Sequence, residues 1–121
     1  MNSISSTTLI AVLLVLISCK ESSRSTAEGD SKVFHYSGAV QCQPTSGISL
    51  AEMQMQLTNA GIDVVCAQTG ADGMNYPAVC GGQTGEINIY QIREENLEDA
   101  INLGFTPVIA LPNYADLACV N

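Results

Sequence analysis

Along Val33 to Val40 (VFHYSGAV), Phe34, Tyr36 and Val40 fall at even spacing, the period of a strand with one buried face. After a loop of Pro, Gly and Ser the period changes. Leu50, Met53, Leu57 and Ala60 recur three or four apart, which makes one side of a helix apolar. Ser49-Leu50-Ala51-Glu52 opens that helix as a capping box: the Ser hydroxyl accepts from the third helical N–H and the Glu reaches back to the cap N–H. Ile48 stands where a hydrophobic staple against Met53 belongs. Gly61 is placed to end the helix in the left-handed conformation, with Ile62 folding back on it. The pattern then predicts strands over Asp63 to Gln68, Glu86 to Ile92 and Pro107 to Leu111. Between the last two lies a helix over Glu94 to Leu103. Its acids occupy the first turn, where the helix dipole favours them, and Leu97, Ala100 and Ile101 form its stripe. Gly104-Phe105 closes it as Gly61-Ile62 closes the first.

The predicted order is β-α-β-β-α-β, with a weak internal echo of Leu57-x-x-Ala60-Gly61-Ile62 in Ala100-x-x-Leu103-Gly104-Phe105. Two right-handed crossovers in that order resemble the ferredoxin-like split β-α-β arrangement. The resemblance implies an α+β sandwich, two helices on one face of a four-stranded antiparallel sheet. An alternative α+β sandwich uses Asn113 to Asn121 as a fifth, edge strand. Element order spans about 80 residues of the chain and is shared by many unrelated functions. On this reading His35, opposite Phe34 and Tyr36, lies on the sheet surface away from the helices. Ser37, Asn88 and Tyr90 join it there as a candidate binding face.

Ahead of the domain, Leu9 to Ile17 (LIAVLLVLI) is an unbroken apolar run, and Ser18-Cys19 follows it. A bilayer-spanning helix needs about 20 such residues, so the run fits the apolar core of a secretory leader. Leu16-Ile17-Ser18-Cys19 resembles a bacterial lipobox. The resemblance implies a diacylglycerol thioether on Cys19, cleavage before it and an acylated new amino terminus. Residues 1–8 depart from the pattern in holding no Lys or Arg. Residues 1–18 then form the signal peptide, 19–32 the lipidated Cys with a Ser-rich tether, and 33–121 the folded domain. Lys20 after the modified Cys resembles the outer-membrane-sorted proteins of Gram-negative envelopes. The expected location is therefore the outer membrane, facing the periplasm and held by several acyl chains, which anchor stably where one does not.

Charge narrows the partners. The chain carries a formal −8 from four Lys+Arg against twelve Asp+Glu. Lys20, Arg24 and Lys32 balance Glu21, Glu28 and Asp30, so the excess sits beyond residue 32, where Arg93 faces nine acids. Nucleic acid is excluded, because phosphate neutralisation needs a basic footprint. An acidic domain on a tether stands off an anionic membrane and favours a basic partner protein.

Without Cys19 the cysteines are Cys42, Cys66, Cys80 and Cys119, an even set suited to disulfides in an exported domain. Three pairings are open. Cys66 and Cys80 flank one polar loop, which favours Cys66–Cys80 with Cys42–Cys119. Metal chemistry finds little support. The heavy-metal-associated domains share the fold but need a CxxC where this chain has Cys42-Gln43-Pro44-Thr45. Met53-x-Met55 places its thioethers about 200° apart on a helix. Asp72-Gly73-Met74-Asn75 is a turn signature without the alternating acids of a calcium loop. No cofactor is expected.

The one histidine, His35, has no nucleophile motif to serve, so the chain is read as not an enzyme. The long loop from Gly70 to Gly85, carrying Asp72, Met74 and Tyr76 among glycines, exceeds the usual connection length and is the second candidate binding element. The expected function is a membrane-anchored protein-interaction module. The alternative is a periplasmic ligand- or metal-binding protein that uses this loop.

Overall fold

The computed structural model describes residues 29–114. The expected leader, lipobox with Cys19 and most of the expected tether lie outside the described residues, as do Cys119 and the expected edge strand from 115 on; Asn113 and Tyr114, its first two residues, are not in a strand. Strand β1 spans Asp30–Tyr36, helix α1 Leu50–Asn59, β2 Val64–Ala71, β3 Glu86–Arg93, α2 Leu97–Asn102 and β4 Thr106–Pro107. Asp30 to Lys32, read from the sequence as the end of the tether, belong to β1. The four strands form one sheet in the order β2-β3-β1-β4, with every neighbouring pair antiparallel.

Local signals in the sequence act where they stand. Ser49 accepts from the Glu52 N–H at 3.2 Å, satisfying one of the donors left open at the start of α1. At its other end Gly61 takes φ +82°, and the Ile62 N–H reaches back to the Leu57 carbonyl at 3.0 Å. Gly104 (φ +101°) and Phe105 repeat that closure on α2, with the Phe105 N–H on the Ala100 carbonyl at 3.1 Å. The second helix is shorter than expected, because Glu94–Asn96 wind as a 3₁₀ turn before α2 begins.

The main correction concerns the faces of the sheet. Val33, Tyr90 and Ile92 pack with Met53 and Leu57 of α1 and Ala100 of α2, so the helices cover the face that also carries His35 and Asn88. Phe34, Ile87 and Ile89 point to the other side and are covered by Val108, Leu111 and Tyr114. Both faces are therefore apolar, and alternation within a strand cannot say which of two apolar faces receives the helices. The fourth strand is corrected too. Only Thr106 and Pro107 pair with β1, and Val108–Ala110 turn into a 3₁₀ helix. Pro107 has no N–H to extend a ladder, and leaving the edge there lets Val108 and Leu111 cover the second face.

Ser37, Asn88 and Tyr90 are consequently interior fasteners and not an open binding face. Asn88 donates its amide to the Ile48 carbonyl at 3.0 Å, and the Tyr90 hydroxyl donates to the Leu50 carbonyl at 2.6 Å. Together they hold the entrance of α1 onto β3. Burial pushes the Tyr90 phenol up to about 12. Replacing Tyr90 by Phe removes this bond and leaves the Leu50 carbonyl short of a partner. We expect a loss of about 1 kcal/mol, read as a lower urea midpoint at unchanged slope.

Candidate functional site

The end of the sheet where β1 leaves and β3 begins is built from two loops, residues 37–49 and 72–85. Their joint is the disulfide Cys42–Cys80, with a Cα–Cα distance of 5.0 Å. Backbone bonds flank it: the Gln41 N–H donates to the Gly82 carbonyl at 2.9 Å and the Gly81 N–H to the Gln41 carbonyl at 3.0 Å. The Gln41 side chain adds bonds to the Pro77 and Gln83 carbonyls at 2.6 and 3.0 Å. This pairing corrects the expected Cys66–Cys80 and Cys42–Cys119. Strand β2 runs on to Ala71, so five residues of extended chain carry the start of the loop about 17 Å beyond Cys66. Nearness in sequence along a loop is overridden by the strand that precedes it. Cys66 is itself disulfide-bonded.

At the centre of the two loops lies Asp72, 1% exposed. Its side chain accepts from the Met74 N–H at 2.9 Å, the short Asx turn that Asp-Gly at 72–73 encodes. The same carboxylate accepts from the Tyr36 hydroxyl at 2.9 Å and from the Tyr76 hydroxyl. Burial acts to raise its pKa, but the hydrogen bonds from Tyr76, Met74 and Tyr36 outweigh it and hold the carboxyl below its ordinary 3.8. The tyrosines respond in the opposite sense. Hydrogen bonding to Asp72 pushes the Tyr76 phenol up to about 12, and burial followed by the Asp72 bond raises Tyr36. All three groups therefore stand in one protonation state across physiological pH, a charged acid between two neutral phenols.

Gly85 makes this arrangement possible. Its φ is +74°, and a Cβ there would lie 2.5 Å from Tyr76 Cε2 and 2.7 Å from Asp72 Oδ1. Its carbonyl also accepts from the Asp72 N–H at 3.0 Å. Gly85→Ala should cost about 2 kcal/mol from the left-handed backbone alone, before the clash is relieved. Loss of near-ultraviolet tyrosine dichroism with far-ultraviolet signal retained would locate the damage in this cluster.

Beside the cluster a hollow of about 450 Å³ opens between the loops, lined by Tyr36, Val40, Tyr76, Thr84 and Glu86 among others. Glu86 Oε1 is taken by the Ser37 hydroxyl at 2.8 Å, which orients the carboxylate at the rim. Of its lining residues Tyr36 is 44% exposed, and Met74 (57%) and Val79 (60%) are exposed on the 72–85 loop. Of the residues expected in the loop, Asp72 proves to be an internal anchor, Tyr76 lines the hollow and Met74 is exposed on the loop surface. Tyr36 and Gln41 were not anticipated. Tyr36 sits in a strand whose alternation assigns it to a core face, and nothing local marks Gln41 as a bridge. His35 lies apart, its Nδ1 2.9 Å from the Tyr36 carbonyl oxygen and its ring edge-on to Phe105. Among the described residues no cluster of three or more His, Cys, Asp or Glu side chains is arranged to hold a metal ion. Comparison with protein-family models, with curated proteins and with solved structures finds no match to this chain.

Proposed function

We propose that this chain is a lipid-anchored protein of the bacterial envelope whose domain, a ferredoxin-like sandwich, serves as a non-catalytic protein-interaction module. The fold reading is supported by the strand order β2-β3-β1-β4 with antiparallel neighbours, the order that two split β-α-β crossovers generate. Anchoring is supported by Leu16-Ile17-Ser18-Cys19 behind its apolar run, and an oxidising compartment by the Cys42–Cys80 bridge. The observation that carries the functional reading is the two-loop end of the sheet. There a buried carboxylate holds two tyrosine rings beside a hollow, and Met74 and Val79 stand exposed on the same 72–85 loop. Aromatic side chains held in place before contact bind partners at low entropic cost, and the flexible Met74 thioether adapts to the surface it meets. Glu86 and the tyrosine faces suit a Lys or Arg side chain of a basic partner.

A photo-crosslinking residue placed at Met74 or Val79 in the full chain, expressed in its lipidated form, should capture a defined protein in cells. Placed at Glu98 on α2, it should not. Equal capture from both positions, or from neither, overturns the module reading. Cys19→Ala should release the protein from membranes after a salt wash; retention overturns the anchor. The hollow also favours a second reading, a small-molecule binding protein, which native mass spectrometry of the gently extracted protein would reveal as a retained non-protein mass.

A further inference from the structure

The hydroxyl protons around the hollow at the two-loop end are committed within the chain. Tyr36 and Tyr76 donate theirs to Asp72, Thr84 donates to the Ala39 carbonyl at 3.1 Å, and Ser37 donates to Glu86 Oε1. What these hydroxyls keep for a ligand are lone pairs. Glu86 is engaged through Oε1 alone, so its Oε2 is a further open acceptor. Of the side chains that line the hollow, Gln83 is the one that carries N–H. Charge has the same sense. Among the described residues the Lys and Arg are Lys32 and Arg93, and both stand at the far end of the β1–β3 pair. Along the strands they lie about 13 Å from Tyr36 and about 23 Å from Glu86, beyond the screening length of about 8 Å at physiological salt. Asp72 and Glu86 therefore set a negative potential at the hollow that no nearby Lys or Arg offsets.

We propose that the hollow seats one arginine side chain of the partner protein, its guanidinium donating to Glu86 and lying against the rings of Tyr36 and Tyr76. The proposal rests on the interaction-module reading and narrows the basic partner to one residue type. A site that offers mainly acceptors calls for an occupant that only donates, and guanidinium carries N–H groups on every nitrogen and no acceptor. It is also more weakly hydrated than an ammonium and stacks on aromatic rings, which favours it over lysine where water must be shed. A phenol that donates to a carboxylate has a more electron-rich ring, and a cation is drawn to it more strongly. A quaternary ammonium gains from the rings but has no N–H to give Glu86. One open carboxylate supplies too few oxygens for a calcium ion, which takes about six to eight.

Amide chemical shifts of the full, lipidated chain in neutral detergent micelles test the seat, with an acetylated, amidated Gly-Arg-Gly peptide as the probe. It should move the Tyr76, Gly85 and Glu86 signals to saturation. The same peptide with citrulline, which keeps the shape and loses the charge, should leave them in place, and the lysine peptide should bind more weakly than the arginine one. Glu86→Gln keeps an acceptor for Ser37 and should weaken the arginine peptide about fivefold, the upper scale of an exposed ion pair. Equal binding of the citrulline or lysine peptide, or an unchanged affinity in Glu86→Gln, overturns the arginine seat. Free L-arginine should bind more weakly than the blocked peptide, because Glu86 and Asp72 repel its α-carboxylate; binding as tight as the peptide's overturns the protein source. If the seat fails while a crosslinker at Met74 still captures a protein in cells, the module reading stands with another contact. Arginine-peptide binding with no capture at Met74 overturns the module reading and with it the protein source.

Discussion

Replacing Cys42 and Cys80 together by Ala should lower the stability of the domain by about 4 kcal/mol, from the loop-closure entropy of a bridge spanning 38 residues. The double variant is the right comparison, because a reductant would also open the disulfide of Cys66. For a domain whose whole stability is about 5–15 kcal/mol, such a loss decides whether the loops stay formed at body temperature. Two measurements separate the bridge from its surroundings. Urea unfolding gives the total effect, and amide exchange at Gln41, Gly81 and Gly82 shows whether the backbone bonds beside the bridge survive without it. If the urea midpoint barely moves, the Gln41 bonds already hold the two loops together and the covalent link adds little. The interaction surface predicts a further consequence: capture through Met74 should weaken in the double variant even where the fold persists, because its loops would have to be ordered on contact.

Asp72→Ala should cost about 1–2 kcal/mol, since it removes the charged acceptor shared by the Met74 N–H and two tyrosine hydroxyls, which solvent can only partly replace. Asp72→Asn keeps the shape and removes the charge, and so isolates the pH dependence. The folded carboxyl is held below its ordinary 3.8, so the folded state binds that proton less tightly than the unfolded chain does. Its contribution is therefore complete above the unfolded value. It fades as the pH falls below about 4 and is gone once the folded value is passed. Tyr76 makes the complementary limb. Its phenol is raised to about 12 in the folded state, so its contribution is complete below the ordinary 10.0 and is lost as the pH climbs towards 12. Midpoints of urea unfolding across the acid range should fall more steeply in the native protein than in Asp72→Asn. Parallel curves would show that Asp72 does not link folding to protonation.

The candidate site was legible only in part. Asp72-Gly73 announces a turn, and the Met74 N–H bond is that turn realised. The length of the loop after β2 signals something beyond a connection, and the hollow and its exposed rim are found there. That the carboxylate of Asp72 would face inward to meet Tyr36, 36 residues earlier, has no trace in local pattern. An Asp among glycines reads as solvent-exposed, because burying a carboxylate is unfavourable unless partners converge on it. The partners here come from a strand and from the loop itself, and only the paired sheet brings them together. Ser37, Asn88 and Tyr90 show the reverse error, polar groups on an apparently open face that are in fact buried, Asn88 and Tyr90 satisfied by the entrance of α1 and Ser37 by Glu86.

What the residues determine alone is whatever closes within a turn or two of chain. The start of α1 at Ser49, the glycine closures at Gly61 and Gly104, the element order and the acidic surplus all rest on neighbours a few positions apart, or on counting. Tertiary structure decided the rest: which apolar face of the sheet lies under the helices, where β4 stops, which cysteine meets Cys42, and what surrounds Asp72. Each of these depends on groups far apart in sequence. Their meeting is set by strand register and by competition among apolar surfaces for the same cover, quantities that no local window of sequence contains.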